Sequence, residues 1–284
     1  ADTAAVLSLL GVTGSAEEAA VRWYRERAAP LLVPFPTASA PRAVEPLLAA
    51  DETWDVGDDL SALDVAASLR RSPRLLPGLT TVQRGWETSE GPERARLPVD
   101  LDLYLDSSGS MPDPARTLSP VALAGAVLAL SCLRAGGRVQ ATTWSGPGQV
   151  AGTDGFVRDA GAVLAAVVAH FGGGTAFPLD LLERTHPEAP PRRALGTSRP
   201  CHVAVVSDDG VTTMFPADGS PGAGVAHRVL ERAAGGGTLL LAAPPLWTER
   251  VRELAGGYDV RSVQTQEELV ALCRELARST WGPR

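Results

Sequence analysis

The fold is decided by the stretch Val99-Asp100-Leu101-Asp102-Leu103-Tyr104-Leu105-Asp106-Ser107-Ser108-Gly109-Ser110. Leucines alternate with polar or aromatic residues as far as Leu105, and a period of two is typical of a β-strand. The pattern then stops in small polar residues, which predicts a loop. Because ligands of open α/β sheets bind outside the carboxyl ends of strands, we expect the oxygens of Asp106, Ser108 and Ser110 to lie in a binding crevice.

Strand-like and helix-like segments alternate from Val99 to the end of the chain. This alternation is typical of a doubly wound α/β fold, a mostly parallel sheet with helices on both faces. The glycines at 235–237 are predicted to end a helix as a C-cap. Strands are predicted over residues 99–106, 138–144, 149–153, 201–207, 238–243 and 258–263, and helices near 119–135, 157–170, 177–185, 224–234, 247–256 and 265–279.

The first 97 residues have a different pattern. Ser15 and Glu18 form a capping box, which predicts the start of a helix that Pro30 ends. The charged segment at 87–97 contains Pro and Gly and predicts a domain boundary. We therefore expect a mainly helical N-terminal extension over residues 1–97, packed on a main domain over residues 98–284. Its predicted elements are helices over residues 19–29 and 60–71, the second capped by Asp58 or Asp59, and a short strand over residues 79–84.

Composition excludes several classes of function. The net charge of −7 argues against a nucleic-acid or anionic-membrane partner, since both need clustered positive charge. All 26 basic residues are arginine. Without lysine the chain has neither a Walker A phosphate loop nor the amine that Schiff-base chemistry requires.

The sequence also predicts where the protein resides. The longest apolar stretch, Val121 to Leu133, is shorter than the roughly 20 residues that span a bilayer. The first residues lack the pattern of a secretory signal. Cys132, Cys201 and Cys273 are far apart and odd in number, which indicates buried thiols in a reducing compartment. We therefore expect a cytoplasmic protein.

Two further segments are predicted to join Asp106 in the crevice. Thr175 follows the glycines at 172–174, and Asp208 follows the apolar strand at 201–207. Magnesium takes about six oxygen ligands, and Ser108, Ser110 and Thr175 can supply neutral ones, with Asp106 and Asp208 acting directly or through water. Neutral hydroxyls leave the ion electrophilic, so that it can accept a carboxylate from a partner.

This pattern resembles the metal-ion-dependent adhesion site of von Willebrand factor A (VWA) domains. The resemblance covers residues 99 to about 280 and includes, in order, Asp106, Ser108, Ser110, Thr175 and Asp208. It implies a site for Mg²⁺, or for another divalent cation such as Mn²⁺ or Ca²⁺, that binds an Asp or Glu carboxylate of a partner protein without catalysis. The chain departs from the family in its doubled Asp208-Asp209-Gly210. We assign the role to Asp208 because it ends the strand, and Asp209 is the alternative.

Within that family, the chain is most similar to bacterial intracellular members that are encoded beside MoxR-type AAA+ ATPases. The similarity lies in residues 102–111, residues 173–178 and Pro77-Gly78-Leu79-Thr80-Thr81 of the leader. It implies an adaptor that links such an ATPase to client proteins, in remodelling or in the assembly of complexes.

Other interpretations of Asp106 give different functions. It could cap a turn, or it could accept a phosphoryl group as in a metal-dependent phosphatase-like hydrolase. Such hydrolases usually have a second Asp two residues further on and a catalytic lysine, whereas this chain has Ser108 and no lysine. The serines lack the G-x-S-x-G elbow and the histidines lack H-E-x-x-H. Trp144, near a strand end, could line the rim of the site.

Overall fold

The structure, a computed structural model, describes residues 15–34, 47–87, 98–188 and 199–282. It divides into two compact units, residues 1–36 with 97–284, and residues 37–96. Most of the predicted boundary segment at 87–97 lies outside the described residues, which end at position 87 and resume at position 98. The predicted division into residues 1–97 and 98–284 therefore stays a prediction. The helices are α1 (Ala16–Ala28), α2 (Val65–Arg71), α3 (Pro120–Arg134), α4 (Ala160–Val168), α5 (Leu179–Thr185), α6 (Val225–Ala233), α7 (Pro245–Leu254) and α8 (Gln266–Trp281). The strands are β1 (Leu47–Thr53), β2 (Val82–Glu87), β3 (Asp100–Asp106), β4 (Val139–Trp144), β5 (Val150–Gly152), β6 (Cys201–Ser207), β7 (Ala234–Leu241) and β8 (Asp259–Ser262).

The larger unit is built on one six-stranded sheet in the order β5-β4-β3-β6-β7-β8. Five of these strands are parallel, and the short edge strand β5 runs antiparallel to β4. Helices cover both faces. The predicted fold class, a doubly wound and mostly parallel sheet, is therefore confirmed.

The strand order reverses beside β3. The chain passes from β3 to β4 and β5 on one side, and later enters β6 on the other side of β3. The loops after β3 and β6 consequently leave the sheet in opposite directions, and a crevice opens between them. Asp106 is the last residue of β3, and Asp208 follows β6 directly.

Each face of the sheet carries its own hydrophobic core. Leu101, Leu103 and Leu105 of β3 pack with α1, α3, α4 and α8 on one face. Tyr104 of the same strand packs on the other face, with side chains from α5, α6 and α7. Successive residues of β3 therefore point in turn to one core and then to the other, which explains the alternating pattern in the sequence. Both faces are buried, which is why β3 is buried along its whole length.

Helix α3 fixes the loop that follows β3. The Ser119 hydroxyl caps the helix by accepting a hydrogen bond from the Ala122 N–H at 3.2 Å, and Pro120 occupies the first turn. The Ser119 N–H in turn donates to the phenol oxygen of Tyr24 on α1 at 2.8 Å. A Cβ at Gly125 would lie 2.7 Å from Leu105 Cδ1, so glycine lets α3 approach β3 closely.

Helix α1 begins as predicted. Ser15 and Glu18 form the reciprocal capping box, and the buried side chain of Tyr24 lies on the face that packs against α3. In the part of the chain that the structure describes, no helix has both the length and the apolar character needed to cross a membrane.

The smaller unit pairs β1 with β2 in an antiparallel sheet. The helix predicted over residues 60–71 is wrong in its first half, because Leu60–Ala62 forms a 3₁₀ turn and α2 starts only at Val65. Asp64, rather than Asp58 or Asp59, caps α2 by accepting from the Ala67 N–H at 2.9 Å. The strand predicted over residues 79–84 is displaced to Val82–Glu87.

The glycines at 235–237 do not end a helix. They lie inside β7, and Ala234 instead takes the left-handed conformation at the end of α6, with φ of 57°. A Cβ at Gly235 would lie 2.4 Å from the backbone carbonyl of Cys201. Glycine is therefore needed at this position because β7 approaches β6 closely. The predicted C-cap is wrong.

Candidate metal centre

Asp106 lies at the bottom of the crevice. Asp106 is only 3% exposed, and both of its carboxylate oxygens accept hydrogen bonds. The Ser108 N–H donates to Oδ1 at 2.8 Å, and the Ser207 hydroxyl donates to Oδ2 at 2.5 Å. Burial raises the pKa of the Asp106 carboxyl, the bonds from Ser207 and Ser108 oppose that rise, and the nearby Asp208 carboxylate adds to it.

A chain of polar contacts joins the loop after β3 to the loop after β6. The hydroxyls of Ser108 and Ser110 lie 3.1 Å apart, and the Ser110 hydroxyl donates to Asp208 Oδ2 at 2.6 Å. Asp208 Oδ1 accepts from the Gly210 N–H at 2.8 Å. Asp208 therefore faces Ser110, whereas Asp209 is exposed and begins a 3₁₀ helix over Asp209–Met214.

Thr175 approaches the same point from the glycine-rich loop. A Cβ at Gly210 would lie 2.4 Å from Thr175 Cγ2 and 3.0 Å from Asp208 Oδ1, so the side chains of Thr175 and Asp208 both lie close to Gly210. The structure thus brings together all five residues singled out in the sequence: Asp106, Ser108, Ser110, Thr175 and Asp208.

Backbone contacts hold the glycine-rich loop against the loop after β3. The Gly172 N–H donates to the Ser107 carbonyl at 2.9 Å, and the Gly109 N–H donates to the Gly173 carbonyl at 2.9 Å. The Ser145 hydroxyl adds a clamp from β4, because it accepts from the Gly173 N–H at 3.1 Å and donates to the Gly174 carbonyl at 2.8 Å. The position of Thr175 is consequently set by these contacts.

Sequence reasoning missed Ser145 and Ser207. Both residues end or follow a strand at the edge that carries Asp106. That position was the available signal, since the carboxyl ends of parallel strands meet at one edge. Neither residue belongs to the Asp-x-Ser-x-Ser pattern, and each acts by hydrogen bonding to a residue of the predicted set or to its loop.

The donor set fits a hard divalent cation. Hydrogen bonds connect Asp106, Ser108, Ser110 and Asp208, and Thr175 lies beside Gly210 with a further hydroxyl group. Oxygen ligands of this kind are the ones that Mg²⁺ binds. Two carboxylates balance the charge of one divalent ion and leave it able to accept a further anionic ligand. Across the described residues, no three side chains of His, Cys, Asp and Glu come together as a metal site. Metal binding by the five residues stays a prediction.

A second buried polar cluster lies on the α5 face of β3, and sequence reasoning missed it. His186 Nε2 lies 2.9 Å from Asp102 Oδ2, and both residues are buried. Burial raises the pKa of the Asp102 carboxyl, and the bond with His186 opposes that rise. Tyr104, two residues after Asp102, packs against Phe177, with the rings tilted by 43° and their centroids 5.0 Å apart. The strand that carries Asp102 therefore also contacts, through Tyr104, the segment that follows Thr175.

Two other predictions concern buried side chains. The three cysteines are buried and free, as expected, and burial raises the pKa of each thiol. The suggestion that Trp144 lines the rim is wrong. Its ring is fully buried and packs edge-on against Phe177 with 5.3 Å between centroids, because this position of β4 faces the core of α5 to α7.

Comparison with known proteins gives likenesses of structure only. No protein-family model and no curated protein matches the sequence. A von Willebrand factor type A protein from Catenulispora acidiphila is 18% identical with a TM-score of 0.39, and the match covers 65% of this chain and 43% of that one. The likeness is one of fold. The chain spans less than half the length of the Catenulispora protein.

Two proteins of bacterial pili are similar to a comparable degree. The PilB minor pilin from Streptococcus sanguinis is 12% identical with a TM-score of 0.42, over 73% of this chain and 67% of that one. The vWF domain of the type V pili tip protein Mfa5 from Porphyromonas gingivalis is 9% identical with a TM-score of 0.40, over 65% and 95%.

Proposed function

We propose that this protein is a non-catalytic adaptor that binds a partner's Asp or Glu carboxylate through a Mg²⁺ ion held by Asp106, Ser108, Ser110, Thr175 and Asp208. The observation that carries this proposal is the convergence of three loops on one point. The hydroxyl of Ser110 contacts Asp208 at 2.6 Å, and Thr175 and the same carboxylate both lie close to Gly210. A divalent ion there would replace these mutual hydrogen bonds by metal–oxygen bonds.

The charge of the donor set supports a carboxylate as the ligand. Asp106 and Asp208 together neutralise a divalent ion, and the three hydroxyls add no charge. The occupied site would therefore carry no net negative charge that repels one more anion, and hard cations prefer oxygen donors such as carboxylate. A site with three or four carboxylates of its own would repel that ligand.

The proposed partner system is a MoxR-type AAA+ ATPase in the cytoplasm. This part rests on the resemblance of residues 102–111 and 173–178 to bacterial VWA proteins that work with such ATPases. The adaptor would present a client, held by its carboxylate, for remodelling or for assembly into a complex.

The rival function, a phosphatase-like hydrolase with Asp106 as nucleophile, has less support. Such an enzyme usually carries a catalytic lysine, and this chain has none. Ser108 occupies the position where such enzymes usually carry a second Asp.

Calorimetric titration with Mg²⁺ and Mn²⁺ tests the metal site. We expect binding by the wild type, and at least about tenfold weaker binding by Asp106→Ala and Thr175→Ala. Asp208→Asn and Asp209→Asn form a matched pair. The first variant should lose the ion and the second should keep it, since only Asp208 faces Ser110. Equal binding by Asp106→Ala, Thr175→Ala and the wild type would refute the site.

Capture from an extract of the native host tests the adaptor function. The immobilised wild type should retain a set of proteins in Mg²⁺ and release it on chelation, and Asp106→Ala should retain none of that set. Release of phosphate from p-nitrophenyl phosphate by the wild type but not by Asp106→Ala would favour the hydrolase instead.

A further inference from the structure

The rim of the candidate metal centre carries large apolar side chains that face solvent. In the described part of the larger unit, five large hydrophobic residues are exposed. Three of them lie near the rim, Phe171 on a loop and two in the first turn of α7: Phe171 is 40% exposed, Leu246 is 81% exposed and Trp247 is 45% exposed. Single exposed apolar residues are ordinary on a protein surface, whereas several beside one candidate site indicate an interaction surface.

Phe171 lies on one side of the centre. It directly precedes Gly172, whose N–H donates to the Ser107 carbonyl at 2.9 Å. The Phe171 ring is thus attached to backbone that touches the Asp106-to-Ser110 loop. The contacts of Ser145 with the same glycine-rich loop fix that backbone.

Leu246 and Trp247 lie on the other side. They belong to the first turn of α7, which follows β7, and the Ala242 N–H just before that turn donates to the Ser207 carbonyl at 2.9 Å. Helix α7 also packs against the 3₁₀ helix that follows Asp208. The centre is therefore flanked by Phe171 near the end of β3 and by Leu246 and Trp247 near the end of β7.

The spacing of the strands sets the length of the segment that could contact both sides. Strands β3 and β7 are separated only by β6, and neighbouring strands lie about 4.8 Å apart. The ends of β3 and β7 are consequently about 10 Å apart, a distance that about three extended residues cover. A segment of about five residues, with its acidic residue in the middle, is long enough to extend beyond both strand ends.

The charges at the rim argue against an acidic surrounding in the ligand. Asp209 directly follows Asp208 and is exposed. A further carboxylate on the ligand would meet Asp209 without a metal to neutralise it.

We propose that the rim recognises a protein segment in which one acidic residue is flanked within two positions on each side by large apolar residues, which contact Phe171 on one side and Leu246 and Trp247 on the other. This inference rests on the proposed function, because the acidic residue is the one that the metal binds. It adds the chemistry of the residues around that carboxylate.

The test uses three blocked, fluorescently labelled peptides with the central sequences Leu-Gly-Asp-Gly-Leu, Ser-Gly-Asp-Gly-Ser and Leu-Gly-Asn-Gly-Leu. Their binding to the full chain is followed by fluorescence anisotropy in Mg²⁺ and in EDTA. We expect the first peptide to bind about tenfold more tightly than the second, since partial burial of two leucines contributes on the order of one factor of ten.

The variants separate the flanks from the metal. The double variant Phe171→Ser, Trp247→Ser should abolish the advantage of leucine over serine and leave the Mg²⁺ dependence intact. Leu118→Ser is the matched control, because Leu118 is comparably exposed but lines a groove with α1 and α8, and it should keep the advantage. Equal binding of the leucine and serine peptides by the wild type, or an unchanged advantage in the double variant, would overturn the inference.

Failure of the proposed function gives a different result. In that case the Asn peptide binds as tightly as the Asp peptide, and EDTA has no effect, whatever the flanking residues do. Binding of the two Asp peptides with equal, Mg²⁺-dependent affinity refutes only the apolar flanks. Absence of binding by all three peptides at millimolar concentration counts against both proposals.

Discussion

The Ser110 hydroxyl donates to Asp208 Oδ2 at 2.6 Å, although the two residues are 98 positions apart in the chain. This bond connects the loop after β3 to the loop after β6, on the two sides of the crevice. It also places a neutral and an anionic oxygen donor side by side, next to the Ser108 hydroxyl. The arrangement depends on few atoms, so small substitutions should disturb it measurably.

Gly210 provides one such position. The Cβ of Gly210→Ala would lie 2.4 Å from Thr175 Cγ2 and 3.0 Å from Asp208 Oδ1, so Thr175 or the loop after β6 must move. We expect Mg²⁺ affinity to fall at least about tenfold, with a loss of about 1–3 kcal/mol in the free energy of unfolding from overpacking. Calorimetry and urea denaturation measure the two effects.

Gly174→Ala is the control for that substitution. A Cβ at Gly174 meets no atom within 4 Å, although the residue lies next to Thr175. This variant should keep its Mg²⁺ affinity within about twofold, which is about 0.4 kcal/mol at 25 °C. Wild-type affinity in Gly210→Ala, or equal losses in both variants, would contradict the arrangement described for Thr175 and Asp208.

Asp106 should make the stability of the metal-free protein depend on pH. Burial raises the pKa of this carboxyl in the folded state, so the folded protein holds the proton more tightly than the unfolded chain does. The resulting contribution to stability is present below the unfolded pKa of about 3.9 and is lost as the pH rises through the folded pKa. The amide in Asp106→Asn does not titrate.

We therefore expect the metal-free Asp106→Asn variant to gain stability relative to the wild type as the pH rises from about 4 to 7. Urea denaturation in EDTA, carried out on both proteins at each pH, gives the difference. Saturating Mg²⁺ should reverse its sign at pH 7, because a ligand that binds only the folded wild type stabilises it. A difference that does not change with pH would show that Asp106 ionises as easily in the folded protein as in the unfolded chain.

The buried pair of Asp102 and His186 should contribute strongly to stability. Their polar atoms lie 2.9 Å apart, and Asp102 is completely buried. Removing the imidazole in His186→Ala leaves the carboxyl without this partner, and we expect the free energy of unfolding to fall by roughly 3 kcal/mol at pH 7. The double variant Asp102→Asn, His186→Gln should lose less than the sum of the two single changes.

An exposed ion pair serves as the comparison. Arg250 and Glu253 lie 2.9 Å apart on the surface of α7, and Glu253→Gln should change the free energy of unfolding by less than about 1 kcal/mol. A loss in His186→Ala as small as this one would mean that the Asp102–His186 contact does not stabilise the fold.

Local patterns predict much of this fold. The alternation in β3 and the apolar run of β6 identify strands because each side chain meets one of two cores. The strand ends identify the site, since Asp106 is the last residue of β3 and Asp208 directly follows β6. Helix caps such as Ser15 are also readable, because the acceptor and donor lie three residues apart.

Contacts between distant segments are harder to read from sequence. The glycines at 235–237 form part of a strand because β7 approaches Cys201, and nothing near them in the sequence marks that approach. The bond from Ser207 to Asp106 joins positions 101 residues apart, and the one between His186 and Asp102 spans 84. Each depends on the order of the strands, which the alternation of elements does not specify.

Tyr24 connects helix α1 to the loop that carries the serines of the candidate centre. Its phenol oxygen accepts the Ser119 N–H at 2.8 Å, at the end of the loop that begins with Ser107. A displacement of that loop on binding a ligand has to break this bond or carry α1 with it. Trp23 lies edge-on to Tyr24 with 4.8 Å between ring centroids, so a shift of Tyr24 with the loop would change the surroundings of this indole.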